Sequence, residues 1–187
     1  MAFRFLDRKE ELARLARLLR GRSAGLAVLY GRRRVGKSRL IQAAIERLRA
    51  VYYVGDDRDA ALQRDALARE VGSLIAGFSS VHYPDWLSLF ERYFREAPKG
   101  SVLVIDELPA LVHRSPELPS VLQKVLDART RAQHAVLSGS SQRMMHGLVL
   151  DGSAPLFGRA QEIMKLMPLD PTWLRQALGA RTPRAAI

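Results

Sequence analysis

The octet Gly31-Arg32-Arg33-Arg34-Val35-Gly36-Lys37-Ser38 constrains the chain more than any other stretch of its 187 residues. It fits G-x-x-x-x-G-K-[ST], and it lies between a continuous apolar run, Gly25-Leu26-Ala27-Val28-Leu29-Tyr30, and a segment of helical periodicity. The spacing has a mechanical reason. Glycines let the backbone curl until successive N–H groups face one point at the start of a helix, where the helix dipole also favours negative charge. A phosphate fills such a curl. Lys37 is then placed to reach β- and γ-phosphate oxygens, and the Ser38 hydroxyl to ligate Mg²⁺. Nucleotide binding is accordingly assigned to Gly31, Arg32, Arg33, Arg34, Val35, Gly36, Lys37, Ser38 and Arg39. The loop arginines need no side-chain role, because the amides do the binding, but their charge would draw an anion in.

A strand buried on both faces ahead of such a loop calls for a parallel sheet, and the rest of the chain supplies the alternation. Leu12, Leu15, Ala16 and Leu19 share one face of a first helix, with Asp7 and Glu10 at capping-box spacing. After the loop, a helix is expected from Gly36 to about Arg49, then a strand at Val51-Tyr52-Tyr53-Val54. Helical spacing runs from Asp57 to Phe78, and Pro84 suits the first turn of an aromatic-rich helix that Pro98-Lys99-Gly100 stops. Ser101 to Ile105 reads as the next strand, Glu117 to Arg131 as a helix, Ala135-Val136-Leu137 as a strand and Gln142 to Leu150 as a helix. Ile163 to Leu166 fits a fifth strand, and Pro171 to Leu178 a last helix ending at Gly179. The fold class is therefore α/β in three layers, a mostly parallel sheet with helices on both faces and ligands at the carboxyl ends of the strands.

Composition narrows the function classes. No apolar run approaches the roughly 20 residues of a membrane helix, and Met1-Ala2-Phe3-Arg4-Phe5 leads into charge, so a soluble, cytoplasmic chain without a membrane partner is expected. With no cysteine, disulfides, thiolate metal sites and cysteine nucleophiles drop out, and the four histidines are not at metal-ligand spacings. Gly139-Ser140-Ser141 does not complete a G-x-S-x-G elbow, which removes a serine hydrolase. A net charge of +11 invites a polyanionic partner. The arginines that make it are scattered, and no run reaches the five or six like charges of a basic arm.

Two further motifs fall at strand ends. Val102-Leu103-Val104-Ile105 delivers Asp106 and Glu107, the first placed to hold Mg²⁺ through its water shell, the second to orient and deprotonate an attacking water. Leu137 is followed by Ser138-Gly139-Ser140-Ser141, whose hydroxyls could sense a γ-phosphate; a strand-to-helix turn capped by Ser140 or Ser141 explains them equally well.

The order Phe5-Leu6-Asp7-Arg8 with Glu11-Leu12, then Gly31 to Ser38, Asp106-Glu107, Ser138 to Ser141 and Pro155-Leu156-Phe157-Gly158-Arg159 resembles the archaeal-type ATPase family, in the STAND group of AAA+-related P-loop ATPases. The resemblance covers nearly the whole chain. It implies a five-stranded sheet of order 5-1-4-3-2, the sensor strand lying between the Walker A and Walker B strands. It puts Phe5 and Arg8 near the adenine, and makes Arg159 a sensor or finger arginine acting on the γ-phosphate of its own or a neighbouring subunit. Residues 1–168 would form the ATPase domain, and 169–187 the start of a truncated or missing C-terminal helical and winged-helix region.

Three functions compete. The first is an ATP hydrolase working as a molecular switch, with Lys37, Glu107 and Arg159 as catalytic residues, Ser38 and Asp106 on Mg²⁺, and Ser138, Ser140 and Ser141 as sensors. The second is a nucleotide-loaded module that binds nucleic acid or protein through its basic surface, with homo-oligomers open to either. A small-molecule kinase ranks last, because Glu107 after Asp106 favours an activated water over a bound acceptor.

Overall fold

A parallel sheet sets the frame, and the computed structural model describes it within residues 8–168. The strands are β1 (Leu26–Tyr30), β2 (Ala50–Val54), β3 (Val102–Asp106), β4 (His134–Gly139) and β5 (Glu162–Lys165). All pair in parallel, in the order β2-β3-β4-β1-β5. This is the arrangement that the resemblance implied. β4 separates the loop strand β1 from the acidic strand β3, so the carboxyl ends of all three converge on one edge.

Alternation along each strand divides the core into two halves. Ala27, Leu29, Val102, Val104, Val136 and Met164 face one way and pack with Leu15 and Leu19 of α1 (Lys9–Leu19) and with Leu40 and Ile41 of α2 (Lys37–Ile45). Leu26, Val28, Leu103, Ile105 and Leu137 face the other way, against α3 (Ala60–Gly72), α4 (Trp86–Glu96), α5 (Leu108–Arg114) and α6 (Leu118–Ala128). α4 carries the largest buried rings, Trp86, Phe90 and Tyr93, and the Trp86 indole N–H donates to Ser115 Oγ at 2.7 Å. Such rings bury much apolar area, and the indole bond to Ser115 ties α4 to the end of α5.

The sequence reading differs from the structure mainly at element ends. The helix after the loop stops at Ile45, four residues early, because the chain must turn to begin β2 at Ala50. Asp85 caps α4 by accepting from the Ser88 N–H at 2.7 Å, so the helix starts at Trp86 and Pro84 lies outside it. The Asp57 to Phe78 stretch is helical only over Ala60–Gly72, opened by Asp59 as N-cap and followed by turns that include Gly77 at φ 72°. The expected Glu117 to Arg131 helix ends at Ala128, and Gln142 to Leu150 divides into α7 (Gln142–Met145) and a π-helical turn, His146–Leu150. Arg8 stands at the N-cap of α1 in left-handed conformation, φ 76°, with no side-chain cap bond. Phe5, Asp7, the expected Pro171 to Leu178 helix and the 169–187 segment lie outside the described residues.

Candidate functional site

The loop between β1 and α2 has positive φ at Gly31, Arg34 and Gly36 (154°, 66° and 93°), the backbone alternation that turns successive N–H groups toward one concavity. Gly31 has a second reason to lack a side chain: a Cβ there would run into the carbonyl oxygen of Leu166, just beyond β5. Val35 is buried in the α1/α2 half of the core and anchors the loop, while Arg32, Arg33, Arg34, Ser38 and Arg39 face solvent. Lys37 opens α2 and is 5% exposed; its ammonium donates to the carbonyls of Gly31 at 2.9 Å and Arg32 at 3.2 Å. The charge is thus held directly across the concavity.

Asp106 ends β3 beside this loop and is 2% exposed. A buried carboxylate is costly unless hydrogen-bonded, and this one accepts from four groups. Ser38 Oγ at 2.6 Å and Tyr52 Oη at 2.5 Å donate to Oδ2; Ser138 Oγ and the Glu107 N–H, the latter at 3.0 Å, donate to Oδ1. Register produces the cluster. Ile105 pairs with Leu137, so Ser138 stands beside Asp106 on the same face, and Val54 pairs with Asp106, which puts Tyr52 on the diagonal. Burial alone would push the Asp106 carboxyl up, but the hydrogen bonds from Ser138, Ser38, Tyr52 and the Glu107 amide outweigh it and hold the group below its ordinary value. Burial, reinforced by the Asp106 carboxylate, raises the Tyr52 phenol well above its ordinary range and keeps it a donor.

Glu107 follows in left-handed conformation (φ 55°, ψ 45°), an uncommon state for a residue with a Cβ that turns its carboxylate toward β4. There Oε2 accepts from Ser140 Oγ at 2.9 Å and the Ser140 N–H at 3.1 Å. Gly55 makes room for the turn: its N–H donates to the Asp106 carbonyl at 2.8 Å, and a Cβ would come within 2.8 Å of the Glu107 carbonyl oxygen. Of the expected sensor serines, Ser138 therefore holds Asp106, Ser140 holds Glu107, and Ser141 caps α7 by accepting from the Met144 N–H at 3.4 Å. Tyr52 and Gly55 carry no motif and were missed from sequence. The only signal was their position at the end of β2, beside a strand that delivers an acid.

Arg8 does reach the loop. Its guanidinium donates to the Val35 carbonyl at 3.3 Å, to the Met167 carbonyl and to Glu11 at 2.9 Å, tying α1, the loop and the segment after β5 together. Arg159 requires a correction. It precedes β5 at the amino edge of the sheet, where the Gln161 N–H donates to Leu26 at the start of β1, and it forms a two-pronged ion pair with Asp127 of α6 at 2.8 and 2.7 Å. The length of β1, about 15 Å, lies between it and the loop, so Arg159 does not act on a γ-phosphate in its own pocket.

Among the described residues no group of three or more His, Asp or Glu could hold a metal alone. Ser38 Oγ beside Asp106 fits the other kind of site, in which Mg²⁺ takes one or two protein donors and completes its shell with phosphate and water. Because the Asp106 pKa is lowered on folding, the stabilisation carried by its network is complete above the unfolded value of about 3.9 and is lost as pH falls through the folded value. Ser138→Ala should cost about 1.5–3 kcal/mol at neutral pH, and the difference from wild type should shrink below about pH 4; urea unfolding across pH checks both.

A family model described as an ATPase domain predominantly from Archaea matches residues 5–176. An uncharacterized protein of Methanocaldococcus jannaschii is 32% identical over 167 residues, 88% of this chain and 36% of its own length. The Walker-type ATPase of Pyrococcus abyssi superposes with a TM-score of 0.70 at 21% identity, over 94% of this chain and 57% of that one. A STAND protein with a tetratricopeptide repeat sensor from Pyrococcus horikoshii gives a TM-score of 0.62 at 18% identity, over 97% of this chain and 27% of that one. The chain thus spans between 27% and 57% of the length of these proteins. With the loop, the acidic strand end and the strand order in place, the chain belongs to the family of ATPase domains found predominantly in Archaea.

Proposed function

We propose that the chain binds ATP with Mg²⁺ at the β1–α2 loop and hydrolyses it to ADP and phosphate, as a molecular switch. The observation that carries this reading is the joining of Asp106 and Glu107 to the loop and to β4 by separate hydrogen bonds, which gives the two carboxylates separate tasks. Bound magnesium would neutralise charge on the β- and γ-phosphates. Lys37 exchanges the Gly31 and Arg32 carbonyls for phosphate oxygens, and the loop amides hold the rest of the chain of phosphates. Asp106 and Ser38 keep the metal side of the pocket in register. Glu107, released from Ser140, takes a proton from the water that attacks the γ-phosphorus, while the bond to the β-phosphate oxygen breaks and ADP leaves. Adenine is preferred over guanine because the chain has no N-K-x-D tetrad and because of its family. Arg159 can serve a γ-phosphate only on another copy of the chain, which ties a finger role to homo-oligomers. A cytoplasmic location goes with this reading; among the described residues no helix is long and apolar enough to cross a membrane.

A second reading, binding of a nucleic-acid phosphate backbone, has an observation of its own. Between α4 and α6 lies an open cavity of about 370 Å³ whose lining includes Arg95, Lys124, Arg129 and Arg131, with Glu91 paired to Lys124 at 3.8 Å. The half-buried Arg129 guanidinium donates there to the carbonyls of Gly25 and Gln133, at 3.4 and 3.3 Å, and burial lowers its pKa against the opposing pull of the Asp127 carboxylate. A surface that tracks phosphates loses affinity for a labelled oligonucleotide steeply between about 50 and about 200 mM salt, and Arg131→Gln weakens it; weak, non-saturating binding in wild type contradicts this reading. For the hydrolase, Glu107→Gln should leave nucleotide affinity within about twofold and lower turnover at least about 100-fold in a phosphate-release assay. Unchanged turnover removes Glu107 as the base.

A further inference from the structure

An aspartate carboxylate offers about four lone-pair sites. At Asp106 all are taken: Ser38 Oγ and Tyr52 Oη on Oδ2, Ser138 Oγ and the Glu107 N–H on Oδ1. None is left to accept a hydrogen bond from the water shell of a magnesium ion, so the acid can take part in holding the metal only if a donor withdraws. The four donors differ in their freedom to do so. The Glu107 N–H belongs to the main chain at the end of β3, and its position is locked by the turn that Gly55 admits. Ser138 is fully buried on β4, in the middle of the sheet. Ser38 need not withdraw, since its hydroxyl donates a proton to Asp106 while its oxygen lone pairs stay open to a metal. Tyr52 is different: it sits on the edge strand β2, its side is partly exposed, and a phenol can satisfy itself in water.

We propose that Tyr52 is a latch on the metal position, its hydroxyl filling the Asp106 lone pair in the nucleotide-free protein and withdrawing when magnesium and nucleotide bind together. This rests on the nucleotide-site reading above and adds a regulator to it. The latch keeps a buried carboxylate satisfied while no cation is present, which stabilises the empty site and raises the magnesium concentration needed to close it. It also makes the end of β2 a reporter of metal arrival: the freed ring lies two residues from Val54 and three from Gly55, whose N–H holds the Asp106 carbonyl. The rival role for the same contact, a tyrosine that stays in place and steers the carboxylate, predicts the opposite sign on removal.

Tyr52→Phe keeps the ring and its packing, and removes only the hydroxyl. Affinity for a non-hydrolysable ATP analogue, titrated by calorimetry over a magnesium series, should saturate at about five- to tenfold less magnesium in the variant, with unchanged affinity in EDTA. As a readout independent of affinity, wild-type protein labelled with 3-fluorotyrosine should show one ¹⁹F resonance, identified by its absence from Tyr52→Phe, that moves with magnesium plus analogue and not with analogue alone. An equal or higher magnesium requirement in the variant, or a stationary resonance, overturns the latch and leaves the nucleotide site standing. Absence of analogue binding in both proteins at every magnesium concentration overturns the nucleotide-site reading and the latch with it.

Discussion

The buried carboxylate of Asp106 is the interaction on which the arrangement of the site depends. Its four hydrogen bonds come from α2, β2, β4 and the turn after β3, so one side chain fastens four parts of the sheet's carboxyl edge. Were β2 or β4 displaced by one residue of register, Tyr52 or Ser138 would point to the other face of the sheet, because side chains alternate along a strand. The phosphate loop is held in turn by what surrounds this point: Lys37 across its own carbonyls, Val35 in the core, and Arg8 tying α1 to the Val35 carbonyl. The geometry of the site and the stability of the fold therefore share the same contacts.

The two edges of the sheet have different characters. At the carboxyl edge, strained backbone at Arg34 and Glu107 and buried polar groups gather within one pocket, the pattern expected where conformational cost is offset by a task. At the amino edge, Arg159 pairs with Asp127, and the arginines between α4 and α6 surround an open cavity. Much of the positive charge that raises the net value to +11 faces solvent, Arg95, Lys124 and Arg131 at this cavity included, and Arg129 beside them is half-buried.

Much of this was legible in the sequence, and the boundary of legibility has a physical cause. The octet from Gly31 to Ser38, the apolar run before it and the acids after β3 are local patterns, each dictated by what a short stretch of backbone must do, and the structure places them together. Tyr52 and Gly55 depend instead on which strand β3 pairs with and in what register, information spread over about fifty residues of chain between Ala50 and Asp106. The edge on which Arg159 falls depends on where β5 begins rather than on the residues around the arginine. Helix α5 was missed because Pro109 and seven residues between an acid pair and a loop give too short a period to recognise. The hydroxyls of Ser138, Ser140 and Ser141 were open between sensing a phosphate and a turn capped by Ser140 or Ser141; in the structure Ser138 and Ser140 hold the two acids and Ser141 caps α7.

Whether the loop binds Mg-ATP is decided by isothermal titration of the chain with a non-hydrolysable ATP analogue and Mg²⁺, wild type beside Lys37→Ala. Saturable binding at one site is expected, weakened at least about 100-fold in the variant, because the buried Lys37 ammonium lies across the loop concavity. Equal binding by both proteins, or binding by neither, would contradict it.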